Sequence, residues 1–229
     1  MKNTQKVILG LIVLFLGYLD VVAQEDRDLY LWNTINLQVK LSELYDMKIS
    51  TKTQYLADEN KRESTYMDFS LYRKMNGWLR LGAAFRTAQH VKAGADVYEY
   101  RPQLITAISL KSKAFRWQTM NRLEHRGFST GGGYYRYYHN SFAHVPTPAR
   151  WPKPYLGEEL FTKLNADGLH IARLYGGLHV VQRDRFLVDF FYVWQHMKAS
   201  EEWQESHVLG LNLTFRISPK SGMLHLHGN

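Results

Sequence analysis

Apolar and polar residues alternate along much of this chain. From Leu29 to Leu41 the odd-numbered positions are almost all aliphatic, whereas the even-numbered positions carry Trp32, Gln38 and Lys40 among others. Successive side chains of a β-strand point to opposite faces, so the alternation predicts a strand with one apolar and one polar face. The same pattern returns in four further segments: 65–72, 78–86, 98–110 and 209–216.

In all, the alternation predicts eleven strands. They cover residues 29–42, 47–56, 65–74, 78–87, 97–111, 114–126, 134–145, 154–162, 169–182, 186–197 and 206–217. Residues that favour hairpin turns separate several of them, as at Asn76–Gly77 and Arg183–Arg185. Bacterial single-chain barrels have even strand numbers. Either one run is not a full strand, the Pro-rich 146–154 stretch hides a miscount, or the tail around Leu224–His227 adds a strand, and we expect ten to twelve strands.

The length of the runs favours a membrane barrel over a soluble β-sandwich. A tilted strand that crosses a bilayer needs roughly 9–11 residues, whereas most strands of globular proteins have about five or six. Several runs reach the greater length, and their polar faces carry charges such as Lys48, Arg80 and Glu99. We predict one all-β domain over residues 24–229, an antiparallel transmembrane β-barrel. A soluble periplasmic β-sandwich that binds a ligand is the alternative.

Aromatic residues and connections fit the same prediction. Aromatic side chains make up 14% of the chain, and those near strand ends are expected to form girdles at the two membrane interfaces. Short turns are expected to alternate with longer polar loops at 58–64, 88–96, 127–133 and 198–206. The expected girdle residues are Tyr30, Trp32, Trp78, Tyr98, Trp117, Tyr135, Tyr137, Trp151, Tyr155, Tyr192 and Trp194.

The first 23 residues have the order of a secretory leader. Lys2 and Lys6 precede an apolar run from Val7 to Leu19, and the small residue Ala23 follows. The run is too short for a membrane-spanning helix, which needs roughly 20 residues. We therefore expect a signal peptide at 1–23, cleaved near Ala23, and export to the bacterial outer membrane, with outer-membrane lipid as the partner.

Charge and composition exclude several functions. The formal net charge is +8, but Lys and Arg are spread singly along the chain, which argues against a nucleic-acid-binding face. The chain has no Cys, so disulfides and thiolate ligands are excluded. Its ten His residues lack the close helical spacing of a zinc enzyme, and we expect neither a metal nor another cofactor.

Ionic residues share the predicted inward face of five neighbouring strands, where they can form a ladder of charge-assisted hydrogen bonds. Two interpretations remain open, and neither makes the protein an enzyme. The ladder fills and stiffens a narrow lumen, or it lines a small pore or cleft that favours small anionic solutes. The oligomeric state is left open. The ladder comprises Arg101, Arg122, Glu124, Arg126, Arg136, Glu159 and Arg173.

Four short segments resemble an uncharacterised family of bacterial outer-membrane β-barrels, catalogued as domain of unknown function 2490. These are the Arg122–Arg126 strand, the Tyr135–Tyr137 strand, the segment from Pro154 to Phe161, and Arg173–Leu178. The resemblance extends over most of the chain after the leader. It implies a barrel in the outer membrane and carries no activity, so it supports the architecture rather than a function.

One arrangement has the chemistry of an enzyme. His139 and Ser141 share a strand face and could act as general base and nucleophile, with Glu158 on the following segment orienting the imidazole. The pair resembles the His-x-Ser arrangement of outer-membrane lipid hydrolases, whose sites face the lipid. It lies on the face of Tyr135 and Tyr137, which is predicted to point outward. Lipid hydrolysis is therefore kept as an alternative function.

Overall fold

A computed structural model describes residues 28–59, 61–92, 95–148, 151–164, 168–199 and 202–218. The leader predicted at residues 1–23 lies outside this range. The described residues contain no helix that is long and apolar enough to cross a membrane. The strands are β1 (Asp28–Lys40), β2 (Tyr45–Leu56), β3 (Lys61–Lys74), β4 (Leu79–Lys92), β5 (Ala95–Lys111), β6 (Arg116–Phe128), β7 (Gly133–His144), β8 (Lys153–Lys163), β9 (Gly168–Gln182), β10 (Phe186–Ala199) and β11 (Glu202–Ile217).

These eleven strands form one closed barrel. Each strand pairs antiparallel with the next, and the ring closes by a parallel pairing of β1 with β11, from Asp28 opposite Ser206 to Val39 opposite Ile217. The predicted all-β barrel of ten to twelve strands is confirmed, and all eleven predicted runs form strands. The tail around Leu224–His227 lies outside the described residues. An odd number of strands running alternately up and down can close only through one parallel pair. Because every described strand belongs to a single closed sheet, these strands form no two-sheet sandwich.

The connections at both ends of the barrel are short. One end, called the turn end, carries the connections 41–44, 75–78, 112–115, 145–152 and 183–185. At the opposite end only 57–60, 93–94, 129–132, 164–167 and 200–201 separate the strands. The predicted long polar loops are therefore wrong. Residues 61–64, 88–92 and 202–205 are mostly polar but belong to strands, so the prediction mistook these strand ends for loops.

Three turns at the turn end are built in the same way. A short polar side chain near the start of each turn accepts hydrogen bonds from backbone N–H groups two and three residues later. The Asn76 side-chain oxygen accepts from Trp78 at 3.0 Å and from Leu79 at 2.8 Å. Ser42 and Ser112 make the equivalent pairs. These bonds reverse the chain within four residues and fix the register of the flanking strands.

The two faces of the closed sheet differ in chemistry. The outward face carries large, exposed apolar side chains around the whole ring, whereas ionic and amide side chains are buried on the inward face. Most predicted girdle residues are exposed, but the prediction is wrong for three of them. Trp32 and Tyr155 are buried inside the barrel, and Tyr30 packs against the same interior cluster. The exposed apolar side chains include Leu31, Ile35, Met67, Phe69, Leu81, Phe85, Leu104, Leu123, Leu156, Leu174, Phe190 and Phe215.

Aromatic rings occupy part of the barrel interior by packing over glycines on the neighbouring strand. A Cβ atom at Gly210 would lie 1.9 Å from the Phe191 ring, and one at Gly177 would lie 2.3 Å from the Tyr155 ring. Each glycine is the direct cross-strand partner of its aromatic residue. Together with Trp32, these rings belong to an apolar cluster inside the barrel. The interior is thus partly filled by its own side chains, as expected of a narrow barrel.

Candidate functional site

Glu99 lies at the centre of a charge cluster inside the barrel, and its side chain is fully buried. Arg126 donates to both carboxylate oxygens, from Nε to Oε1 at 2.6 Å and from Nη2 to Oε2 at 2.7 Å. Arg101, on the same face of β5, donates from Nε to Oε1 at 2.7 Å, and His90 Nε2 lies 2.9 Å from Oε2. These four residues are called the Glu99 cluster. Charge-assisted bonds to three partners hold the carboxylate in one position.

A second buried carboxylate, Glu124, joins this cluster through Arg101. Strand register places Glu124 directly opposite Arg136 on β7, which donates to Oε2 from Nη2 at 2.6 Å and from Nε at 2.9 Å. Arg122 Nε lies 3.4 Å from Oε1, and Arg101 Nη1 lies 3.7 Å from Oε2. We call Glu124, Arg122 and Arg136 the Glu124 cluster. Because Arg101 contacts both carboxylates, the two clusters form one network.

Glu159 holds a separate cluster on β8 and β9. Arg173 is its cross-strand partner and donates from Nη1 to Oε2 at 3.0 Å. The phenols of Tyr138 and Tyr175 each donate to the carboxylate at 2.7 Å. Arg173 also donates to Gln195 on β10 at 2.7 Å, which extends the cluster across a further strand. These five residues are called the Glu159 cluster.

The clusters surround an interior cavity of about 580 Å³. In the described part of the chain, no carboxylate lies within ion-pair distance of Lys48 or Lys52. The Lys52 ammonium instead lies 3.2 Å from the centre of the Trp32 ring. Cations outnumber carboxylates on the cavity wall, so its charge is positive. The ionic lining consists of Lys48, Lys52, Arg86, Arg101, Arg122, Arg126, Arg136 and Arg173, with Glu63, Asp68 and Glu159.

The predicted ladder residues fall into two groups. The members on β5 to β7 contact the joined Glu99 and Glu124 clusters, and Glu159 pairs with Arg173. Sequence reasoning did not identify Glu99 as a centre, although its place on the polar face of the 98–110 segment was a usable signal. The contributions of Tyr138 and Tyr175 had no such signal, because tyrosine occurs on either face of a strand.

A patch of polar side chains interrupts the outer wall on β6, β7 and β8. It consists of Asn121, His139, Ser141 and Glu158 and is called the outer patch. His139 Nδ1 lies 2.8 Å from Asn121 Oδ1, and His139 Nε2 lies 3.9 Å from Glu158 Oε1. The Ser141 hydroxyl accepts a hydrogen bond from the indole N–H of Trp117. The patch thus gathers an imidazole, a hydroxyl, an amide and a carboxylate on the outside of the barrel.

The structure brings His139, Ser141 and Glu158 together on one outward face. The imidazole Nδ1, however, is hydrogen-bonded to the side-chain oxygen of Asn121, whereas Glu158 lies farther away, at 3.9 Å from Nε2. Asn121 is the cross-strand partner of His139, a relation that depends on the register of β6 and β7. Sequence reasoning missed Asn121 because the turn after β6 had not been located precisely enough to fix that register.

The described residues contain no group of three or more His, Asp or Glu side chains arranged to hold a metal ion.

A family model described as "Protein of unknown function (DUF2490)" matches residues 29–206, from β1 into β11. The chain belongs to this family. No curated protein matches it. The matched residues include the three interior clusters and the outer patch.

Proposed function

We propose that this protein is an outer-membrane β-barrel whose basic lumen admits small anions. One observation carries the proposal: a single closed sheet with large apolar side chains outside and buried ionic groups inside. In water, such an exterior would be a continuous exposed apolar surface, which soluble monomers rarely carry. In a bilayer the same surface lies against acyl chains, and closure leaves no sheet edge unpaired. The leader expected at residues 1–23 supports export to that location.

The chemistry of the lumen sets the solute class. Eight cationic side chains and three carboxylates line the cavity, and Lys48 and Lys52 have no carboxylate at ion-pair distance in the described residues. Two lysines without a carboxylate partner, in a wall whose cations outnumber its carboxylates, favour anions over cations in a narrow pore. Aromatic residues such as Trp32 and Phe191 fill part of the interior. The lumen therefore suits small solutes, such as inorganic anions or short carboxylates.

Ion selectivity tests this proposal. In planar bilayers with a KCl gradient, we expect the reversal potential of the purified protein to have the sign of chloride selectivity. The Lys48→Glu, Lys52→Glu double variant is expected to shift the reversal potential towards cation selectivity, because it places two carboxylates on the cavity wall. Lys111→Glu with Lys113→Glu is the matched control, since it makes the same charge change at the exposed turn end of β5.

The control variant is expected to shift the reversal potential less than the lumen variant does. Potassium selectivity of the wild type would contradict the anion proposal. Equal shifts in the two double variants would assign selectivity to overall charge rather than to the lumen. If the protein inserts and folds but carries no current, the pore proposal is wrong, and the charge clusters have only a structural role.

A further inference from the structure

We propose that Asn121, His139 and Ser141 form a catalytic site on the outer wall that hydrolyses acyl esters of membrane lipids. The inference rests on the proposed placement of this wall in a bilayer, but not on what passes through the lumen. It uses the outer patch, which has no part in the interior clusters. Its experiment is chosen so that failure of the site and failure of the membrane placement give different results.

The surroundings of the outer patch make its polarity unusual. The Glu158 side chain is 45% exposed, and its neighbours on the outer wall, Leu156 and Leu174, are 69% and 54% exposed. An ionisable side chain among residues that face acyl chains is costly, and such positions are usually functional. Interior packing does not require the patch either, because its side chains point away from the lumen. A role at the lipid surface accounts for both facts.

Asn121 fixes the protonation pattern of the imidazole. Its side-chain oxygen can only accept, so the 2.8 Å contact requires a hydrogen on His139 Nδ1. Tyr137 donates its phenol hydrogen to the same oxygen at 2.5 Å. In the neutral imidazole the lone pair is therefore on Nε2. This is the state that a general base needs, with the second nitrogen held by a neighbour.

Ser141 supplies the nucleophile. It lies two residues after His139 on the same face of β7, roughly 7 Å along the strand, within combined reach of the two side chains. Its hydroxyl accepts a hydrogen bond from the Trp117 indole N–H, and the reaction requires it to turn from Trp117 towards Nε2. Glu158 is the cross-strand partner of Ser141 and lies 3.9 Å from Nε2. A carboxylate there stabilises the imidazolium that forms when Nε2 takes a proton.

The proposed reaction needs only these side chains, the ester and water. The Ser141 oxygen attacks the ester carbonyl carbon while its proton passes to His139 Nε2. The ester C–O bond then breaks, the electron pair stays on the alcohol oxygen, and that oxygen takes the proton from Nε2. Water attacks the acyl-serine, gives its proton to His139 and releases the carboxylic acid, and Ser141 recovers its hydrogen. The Trp117 indole N–H, already bonded to the serine oxygen, is available as a donor to the oxyanion.

The position of the patch selects the substrate class. β7 ends at His144, so Ser141 lies roughly 10 Å from the turn end of its strand. The exposed side chains of Trp117 and Trp151 lie towards the same end and mark an interface on this side of the barrel. Lipid ester bonds lie at that depth, where water is available, and the exposed Leu156 and Leu174 offer contact to the acyl chain.

A serine-directed fluorophosphonate tests the site in detergent-folded protein. We expect covalent labelling of Ser141 in the wild type, at least about 100-fold slower labelling in His139→Ala, and none in Ser141→Ala. Asn121→Leu is expected to slow labelling by about 10-fold or more, and Asn121→Asp, which keeps the acceptor, to restore most of the rate. Thr106→Val, on the same outer rung and outside the catalytic group, is the control with unchanged labelling.

Release of fatty acid from phospholipid vesicles by the wild type, and its loss in Ser141→Ala, completes the expected result. Equal labelling of wild type and Ser141→Ala, or fatty-acid release that survives Ser141→Ala, would overturn the site. Each sample is also run unheated and heated on a denaturing gel. A barrel that migrates faster unheated but is not labelled counts against the site alone, whereas absence of the shift counts against the membrane placement.

Discussion

Glu99→Gln is expected to lower the free energy of unfolding by about 3–5 kcal/mol. The substitution preserves the shape of the side chain but removes the charge that binds Arg101 and Arg126. Buried Arg101 would keep only its 3.7 Å contact with Glu124, and Arg126 would lose the carboxylate that it binds. A buried charge without its counter-charge is more costly than any loss of packing at this position. Urea unfolding of the vesicle-inserted protein, followed by tryptophan fluorescence, measures the change.

The matched control for that experiment is Glu43→Gln in the turn between β1 and β2. Glu43 contacts Lys40 Nζ at 2.5 Å, but its side chain is 88% exposed. Exposed ion pairs contribute little to stability, so we expect a far smaller loss of unfolding free energy than in Glu99→Gln. Similar losses in the two variants would mean that the Glu99 cluster is solvated rather than enclosed.

Leu104→Arg is expected to destabilise the bilayer-inserted barrel by about 2–4 kcal/mol. Leu104 lies near the middle of β5 and is 65% exposed on the outward face. An arginine at the surface of a soluble protein would change stability by less than about 0.5 kcal/mol. The large penalty arises only where the side chain faces hydrocarbon. The same urea titration in lipid vesicles measures it.

Leu44→Arg provides the comparison, because Leu44 is also exposed but lies in the turn 41–44, beyond the strands. Its expected change is within about 0.5 kcal/mol. If Leu104→Arg proved as mild as Leu44→Arg, the outer wall would be in contact with water. The proposed membrane placement would then fail.

Period-two alternation predicted the strands because one face of this sheet carries apolar side chains and the other carries polar ones. The runs around Leu31 and Leu211 kept their phase, and the eleven predicted strands correspond one to one with β1 to β11. The ends were less predictable. Polar extensions such as Ala88–Lys92 and Glu202–Glu205 carry no apolar face, so nothing in their composition separated strand from loop. Closure by a parallel pair of terminal strands is a long-range contact with no local signal.

The interior site was only partly predictable. Ionic residues at alternate positions can be assigned to one face, which gathered Glu124, Arg136 and the other ladder members. Which carboxylate meets which guanidinium depends on register and on reach across the lumen, as for Arg101 between Glu99 and Glu124. Trp32 was expected at an interface because aromatic residues are common there. It lies instead in the apolar cluster inside the barrel, a packing across strands that sequence spacing does not reveal.

The two proposed activities use opposite faces of one sheet. The Glu124 cluster and the outer patch share β6 and β7, where Glu124 and Arg136 point inward while Asn121 and His139 point outward. The stiffness that the buried ion pairs give to these strands therefore also fixes the geometry of the outer patch. This arrangement places rigid support directly behind a site that needs precise side-chain positions.

Spin-label accessibility at residue 104 tests the central claim most directly. The chain has no Cys, so a nitroxide can be attached at Leu104→Cys and, for comparison, at Leu44→Cys. In lipid vesicles, we predict that the label at position 104 collides more with oxygen, which concentrates in hydrocarbon, than with a water-soluble nickel complex. The label at position 44 should show the reverse. A label at position 104 as accessible to the nickel complex as the one at position 44 would contradict an outer wall that faces lipid.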